Sequence, residues 1–258
     1  MKPLQLWGGV ECTVNRIRGT YYNQIDRSGH TDRLCDLDRI AELGIRTLRY
    51  PILWELNAPN SDSQSDWKWA TERLNRLRML QIAPIVGLVH HGSGPAYTCL
   101  IDERFVTGLA AYAGNVAARF PWVEWYTPVN EPLTTARFSG LYGLWYPHGR
   151  DDRTFARSLV NQCRATILSM RAIRRINPKA KLLQTDDLGT TYSTPAMQYQ
   201  AAFDNGNIHH NFWARSEIAV GRGDSLSADG FCRNAALDFL CDRPRGGLQQ
   251  SDQQCPPN

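Results

Sequence analysis

Short apolar runs alternating with longer amphipathic stretches constrain this chain of 258 residues more than any other feature. The runs are LQLWGGV (4–10), IRTLRYPILW (45–54), IAPIVGLVHH (82–91), residues 123–129, and KLLQTDD (181–187). Each is short and nearly continuous in apolar character, which reads as a strand covered on both faces. Between them, residues 32–43 place Leu34, Leu37, Ile40, Ala41 and Leu43 on one helical stripe, and Gly44 supplies the stop. Residues 67–80, 103–120 and 152–176 read as helices too. Phe105, Leu109, Tyr112, Ala113, Val116 and Phe120 share one face of the third, and the fourth ends before Asn177-Pro178. A further helix-compatible stretch begins near residue 195.

Strand and helix alternating about five times predict a parallel α/β sheet wrapped by helices. Two architectures compete, the doubly wound sheet and the (β/α)8 TIM barrel. No GxGxxG follows any strand, so the nucleotide-binding form of the first lacks its best cue. In a barrel, chemistry sits at the C-terminal ends of the strands. Polar residues stand at those ends here: Arg49, His90 and His91, Asn130 and Glu131, Asp186 and Asp187. The expected fold is therefore the N-terminal portion of a TIM barrel, about five βα units of the eight that closure requires. Residues 1–222 would form this partial domain. Residues 223–258, with weak apolar periodicity and a Gln-, Pro- and Gly-rich end, would form an irregular or disordered tail.

Composition excludes several classes. Apolar residues make up 42% of the chain and charged residues 21%, which predicts an ordinary globular core rather than disorder. No apolar stretch reaches the roughly 18 residues of a membrane span, and the start lacks the apolar segment of a secretory leader. Seven scattered cysteines, an odd number with no CxxC, predict reduced thiols and a cytoplasmic location. The net charge of +4 is spread out; Arg164, Arg171, Arg174 and Arg175 lie at helical spacing as a solvated face, so no nucleic-acid partner is expected. The pairs His90-His91 and His209-His210 do not predict a metal site, because adjacent strand side chains face opposite ways. No cofactor is implied.

The segment WYTPVNEP (125–132) carries the sharpest chemical signal. A carboxyl at a barrel strand end, in an apolar surround, can keep a proton and give it to a leaving oxygen. The amide of Asn130 can bond a sugar 2-hydroxyl, a contact that strengthens in an oxocarbenium-like transition state. Pro132 ends the strand and sets the turn. A second reading has Asn130 capping the next helix and Glu131 sitting in its first turn.

Four segments in order resemble glycoside hydrolase family 1, the β-glucosidase-like retaining enzymes of clan A. WYTPVNEP is similar to that family's W-x-T-x-N-E-P, whose Glu is the general acid/base; the resemblance implies that role for Glu131, with Asn130 as a sugar ligand. RYPILW (49–54) resembles R-F-S-x-x-W, whose Arg lies beside the nucleophile, and so implicates Arg49. GLVHHGSGP (87–95) resembles T-L-x-H-W-D-L-P and makes His90 a sugar-hydroxyl ligand. SGLYGLWYPHGRDD (139–152) resembles the segment after the acid/base strand. The opening WGGVECTVNRIRG is similar to a divergent branch fused ahead of a dTDP-4-dehydrorhamnose reductase-like domain, which implies a sugar-nucleotide reductase as fusion or partner. The resemblance runs from Leu6 to about Arg222.

The departures from that pattern are specific. Arg16 stands where the family's sugar-gripping Gln belongs, implying an anionic or phosphorylated sugar, or else an Arg that points away and pairs with a carboxylate. His91 replaces a Trp. The nucleophile, carried by the family on its seventh strand in a T-E-N-G-like segment, has no counterpart. Glu11 could face the cleft, or could pair with an Arg as a loop carboxylate. The chain is therefore expected to be truncated or frame-shifted, poorly soluble or partner-dependent, and inactive unless completed. A noncatalytic sugar-binding remnant is the alternative, with Trp54, Trp125, Trp145 and Trp213 as stacking candidates, although Trp54 and Trp125 read first as core.

Overall fold

The computed structural model describes residues 4–60, 65–187, 190–203 and 205. The expected tail at 223–258, and with it Arg222, His209, His210 and Trp213, lies outside the described residues. The chain begins with β1 (Trp7–Gly9), a hairpin of β2 (Val14–Ile17) and β3 (Thr20–Asn23), and the short helices α1 (Gln24–Arg27) and α2 (Asp36–Glu42). Then come β4 (Thr47–Pro51), α3 (Trp54–Asn57), α4 (Lys68–Met79), β5 (Ala83–His90) and α5 (Glu103–Arg119). After these follow β6 (Trp125–Asn130), α6 (Pro132–Ala136), a π-helical turn at Arg137–Leu141, α7 (Asp152–Ile176) and β7 (Lys181–Leu182).

β1, β4, β5, β6 and β7 form one sheet in that order, each pair parallel. A doubly wound sheet reverses its strand order at a switch point. This order never reverses, so each βα unit adds its strand on the same side, as in a barrel wall. All strand C-termini therefore point to one rim, with His90 register-paired to Asn130 there. Within the described residues, β1 and β7 each pair with one neighbour only.

The core explains the continuous apolar runs. Val86, Leu88 and Val89 of β5 and Tyr126 and Val129 of β6 are buried from both sides. On the helical side they meet Leu74 and Leu77 of α4, Phe105, Leu109, Tyr112 and Val116 of α5, and Met170 and Ile173 of α7. Each such side chain contributes on the order of 1.5–3 kcal/mol by leaving water. Trp54 is fully buried and stacks on Tyr112 at 6.2 Å between ring centroids. Trp125 is only part-buried, and Lys181 Nζ lies 4.8 Å from its ring centre.

Three local features depart from the sequence expectations. IRTLRYPILW is not one strand: β4 stops at Pro51, and the chain turns into α3 so that Trp54 enters the core. KLLQTDD forms only a two-residue ladder, yet Leu183 N–H still donates to Tyr126 O and Glu131 N–H to Thr185 O, keeping residues 183–185 beside β6. The β2–β3 hairpin was not expected; Arg18 and Gly19 form its turn with φ of 47° and 79°. Two consecutive left-handed residues match the twist of a two-residue hairpin loop. Among the described residues Cys12, Cys35 and Cys163 are free thiols, and Cys232, Cys241 and Cys255 lie outside them. Among the described residues no helix is long and apolar enough to cross a membrane.

Candidate functional site

The ends of β4, β5 and β6 bring Arg49, His90, His91, Asn130 and Glu131 to one rim of the sheet. Asn130 is the hub, with 2% of its surface exposed. Its Oδ1 accepts hydrogen bonds from Arg49 Nη1 and from Thr185 Oγ1, the latter at 2.8 Å. Two donors on Oδ1 fix the orientation of the amide. Its Nδ2 therefore faces His90 Nε2 at 3.3 Å and His91 Nε2 at 3.4 Å.

An amide N–H donates only to an unprotonated ring nitrogen, so these two contacts assign both ring protons to Nδ1, against the Glu11 and Glu131 oxygens that face the same Nε2 atoms at 3.4 and 3.7 Å. His90 Nδ1 then donates to the Cys12 sulfur at 3.1 Å, and His91 Nδ1 to Thr135 Oγ1 at 3.2 Å. Burial, with the neighbouring His91 and the Arg49 charge, pushes the His90 pKa down to about 3. Burial lowers that of His91 as well; the Glu131 carboxylate opposes the shift and Arg49 adds to it. Burial pushes the Cys12 thiol up to about 12, so it is no thiolate nucleophile near neutral pH. The rings, thiol and amide of the hub thus surround the Arg49 guanidinium, with the Glu11 and Glu131 carboxyl groups at their edge.

The two His side chains were expected on opposite faces. They are not: their rings lie 4.8 Å apart, because His91 leaves the strand conformation with φ of 57°. Glu131 adopts the same left-handed region, φ 46° and ψ 66°. A non-glycine residue there costs roughly 1 kcal/mol or more and persists only where the surroundings enforce it. Glu131 takes the N-cap position of α6 but makes no side-chain cap, and Asn130 caps nothing. The helix-start reading of N-E-P thus accounts for the backbone alone. The carboxylate instead faces His91, with Oε2 3.7 Å from Nε2 and its side chain 29% exposed.

Arg16 is not part of this cluster's bonding. It is buried, with Nη1 and Nη2 donating to the carbonyls of Ala96 and Thr98 at 3.1 and 3.3 Å. Its guanidinium lies 3.3 Å from the centre of the Tyr146 ring. It clamps the loop after β5 to the hairpin. Glu11 is exposed at the rim, 3.4 Å from His90 Nε2 and 3.8 Å from Arg49 Nη2, as a loop carboxylate beside an Arg. Trp145 stands 5.5 Å from the His91 ring and stacks on Phe138 at 4.5 Å.

Thr185, Thr135 and Cys12 complete the network, and sequence reasoning passed over all three. Attention fell on Asp186 and Asp187, but the side chain that reaches the hub belongs to the residue before them. Only its position at the end of the fifth apolar run pointed to it. Among the described residues no group of three His, Cys, Asp or Glu side chains is placed to hold a metal ion.

No protein-family model matches this chain, and no curated protein matches it in sequence. Solved structures do. A β-glucosidase from Thermotoga maritima in complex with castanospermine superimposes with a TM-score of 0.58 and 19% identity, over 67% of this chain and 42% of that one. The complex with cyclophellitol gives 0.57 and 21%, over 66% and 41%. A structure described as a family 1 β-glucosidase from the same organism gives 0.54 and 19%, over 66% and 41%. The likeness shows the fold, a partial TIM barrel of the kind found in these β-glucosidases. This chain spans about two-fifths of their length.

Proposed function

We propose that this chain carries the acid/base half of a β-glycoside-cleaving site, with Glu131 protonating the leaving glycosidic oxygen. The observation that carries the reading is the strained placement of Glu131 beside the fixed Asn130 amide, at the rim where barrel chemistry occurs. Asn130, His90 and Arg49 would bind the sugar hydroxyls next to the broken bond, and the half-buried Trp145 would form a wall. Inhibitor-bound β-glucosidases among the similar structures support a carbohydrate ligand.

On this reading Glu131, protonated, gives its proton to the departing oxygen as the C–O bond breaks. It then takes a proton from the water that attacks the anomeric carbon. Retaining cleavage needs a second carboxylate about 5–5.5 Å away. The family resemblance puts that group on a seventh strand, outside the βα units described here. Residues 1–222 would belong to the barrel domain, in the cytoplasm, and the reductase-fused branch makes a sugar-nucleotide reductase the partner to test. Arg16, held by backbone carbonyls, would act on the sugar only through the loop it clamps, which weakens the argument for an anionic sugar.

A fluorogenic β-glucoside assay tests the proposal. Turnover that Glu131→Gln lowers by 100-fold or more, in line with loss of a general acid, supports it. Turnover that survives the substitution refutes the role. Sugar binding without turnover in either protein favours a noncatalytic remnant.

A further inference from the structure

We propose that His91 is a proton-sharing partner of Glu131, a positioning residue that helps decide whether the carboxyl stands in its acid or its base form. The inference rests on the acid/base reading of Glu131. It starts from geometry that a bland strand end would not show. Consecutive barrel strands, β5 and β6, each end in a non-glycine residue forced into the left-handed region, His91 and Glu131. The result is that Nε2 and Oε2 meet at 3.7 Å, close enough to tighten to a hydrogen bond or to be bridged by one water. The resemblance has a Trp at position 91, which could neither accept nor carry a proton there.

One proton can occupy two places in this pair. With the proton on Glu131, the carboxyl donates toward a neutral imidazole. With it on His91, an imidazolium faces a carboxylate. The exchange moves one proton across one gap, breaking one O–H or N–H bond as the other forms, and a proton on Nε2 ends the Asn130 Nδ2 donation there.

Several groups bias the choice against His91. Its side chain is only 12% exposed, which disfavours a charged ring. Asn130 Nδ2 donates to the same Nε2 from the end of β6, and Arg49 on β4 adds a positive charge. His90, its chain neighbour, lies ring to ring with it and stays neutral. Thr135 of α6 holds Nδ1, and the Trp145 ring closes the remaining side. Of the charged groups, Glu131 is the one that favours a proton on His91. Glu131 as a proton donor needs these biases to prevail.

The test is a titration of ring nitrogens by two-bond 1H–15N correlation spectra of the full 15N-labelled chain, with His91→Asn identifying the resonances. Glu131→Gln removes the one group that favours the protonated ring. The His91 midpoint should fall by about 1 pH unit or more. His90, on which Glu131 exerts no resolved influence, should move much less. A His91 midpoint that stays within about 0.3 units, or rises, overturns the proposal, as does an equal movement of both rings.

The unmutated chain offers a second measurement that does not depend on the variant folding. The Glu131 side-chain carboxyl, followed by 13C, and the His91 ring must report the same two midpoints, because coupled sites titrate as a pair. Unrelated single midpoints overturn the proposal. These readouts are independent of turnover. A protein with the coupled pair whose turnover survives Glu131→Gln would sink the acid/base reading and leave the pair standing; turnover lost in Glu131→Gln with unrelated midpoints would do the opposite.

Discussion

Glu55→Gln should stabilise the fold progressively as pH rises from about 5 to 8. Glu55 lies on α3 and is 5% exposed. Its Oε1 accepts a hydrogen bond from Gly94 N–H at 3.0 Å, while Oε2 is buried without a partner. Burial raises its pKa from 4.5 to about 7, against the lowering effect of the backbone hydrogen bonds and the Arg16 charge. Between those two values the native protein holds a proton that the unfolded chain has released. Stability therefore falls with rising pH across the window, and the penalty is complete above about pH 7. At 1.36 kcal/mol per unit, the full penalty is about 3 kcal/mol. That is a large share of the 5–15 kcal/mol typical of a domain. Gln keeps the shape and the Gly94 contact but cannot ionise. Its buried amide has a constant cost of about 1 kcal/mol, which shifts the comparison without tilting it. Urea unfolding followed by tryptophan fluorescence, at several pH values on both proteins, isolates the effect, since every other group titrates in both. The variant-minus-wild-type difference should grow by about 2–3 kcal/mol between pH 5 and 8. A difference flat to within about 0.5 kcal/mol would refute the burial argument.

Two further substitutions probe the scaffold around the rim. Gly92→Ala would place a Cβ 2.0 Å from Glu55 Oε1 and 2.7 Å from Val14 O, so the loop after β5 must move; a loss of about 2 kcal/mol or more in urea unfolding is expected. Asp151→Ala removes the side-chain cap on Thr154 N–H, 2.9 Å away, and should lower stability by about 1 kcal/mol while leaving the His91 and Glu131 titrations unchanged.

Helix periodicity was the most legible part of the chain, because a buried stripe repeats over many residues. The expectations at 67–80, 103–120 and 152–176 meet helices at Lys68–Met79, Glu103–Arg119 and Asp152–Ile176. Short features were less legible. The VNRI and TYYN arms of the hairpin are four residues each, and their two-residue Arg-Gly turn stood outside the usual turn dipeptides. The reach of β4 was overstated because periodicity cannot tell a buried strand from the start of a short buried helix such as α3.

The order of apolar runs and helices, read without coordinates, was enough for a parallel sheet with its polar residues at one rim. Those preferences follow from backbone geometry and burial, which are local and periodic. Which polar residues work together depended on tertiary placement. Asn130 and Thr185 lie 55 residues apart in sequence but share a hydrogen bond; Cys12 and His90 lie 78 apart. Arg16 looks like a free cation in the sequence but is occupied by the carbonyls of Ala96 and Thr98. The left-handed backbone at His91 and Glu131, which brings their side chains within 3.7 Å of each other, belongs to the folded chain. His visits that region more often than most residues and Glu does not, but neither tendency is strong enough to be read from the sequence, so only the folded chain could reveal it.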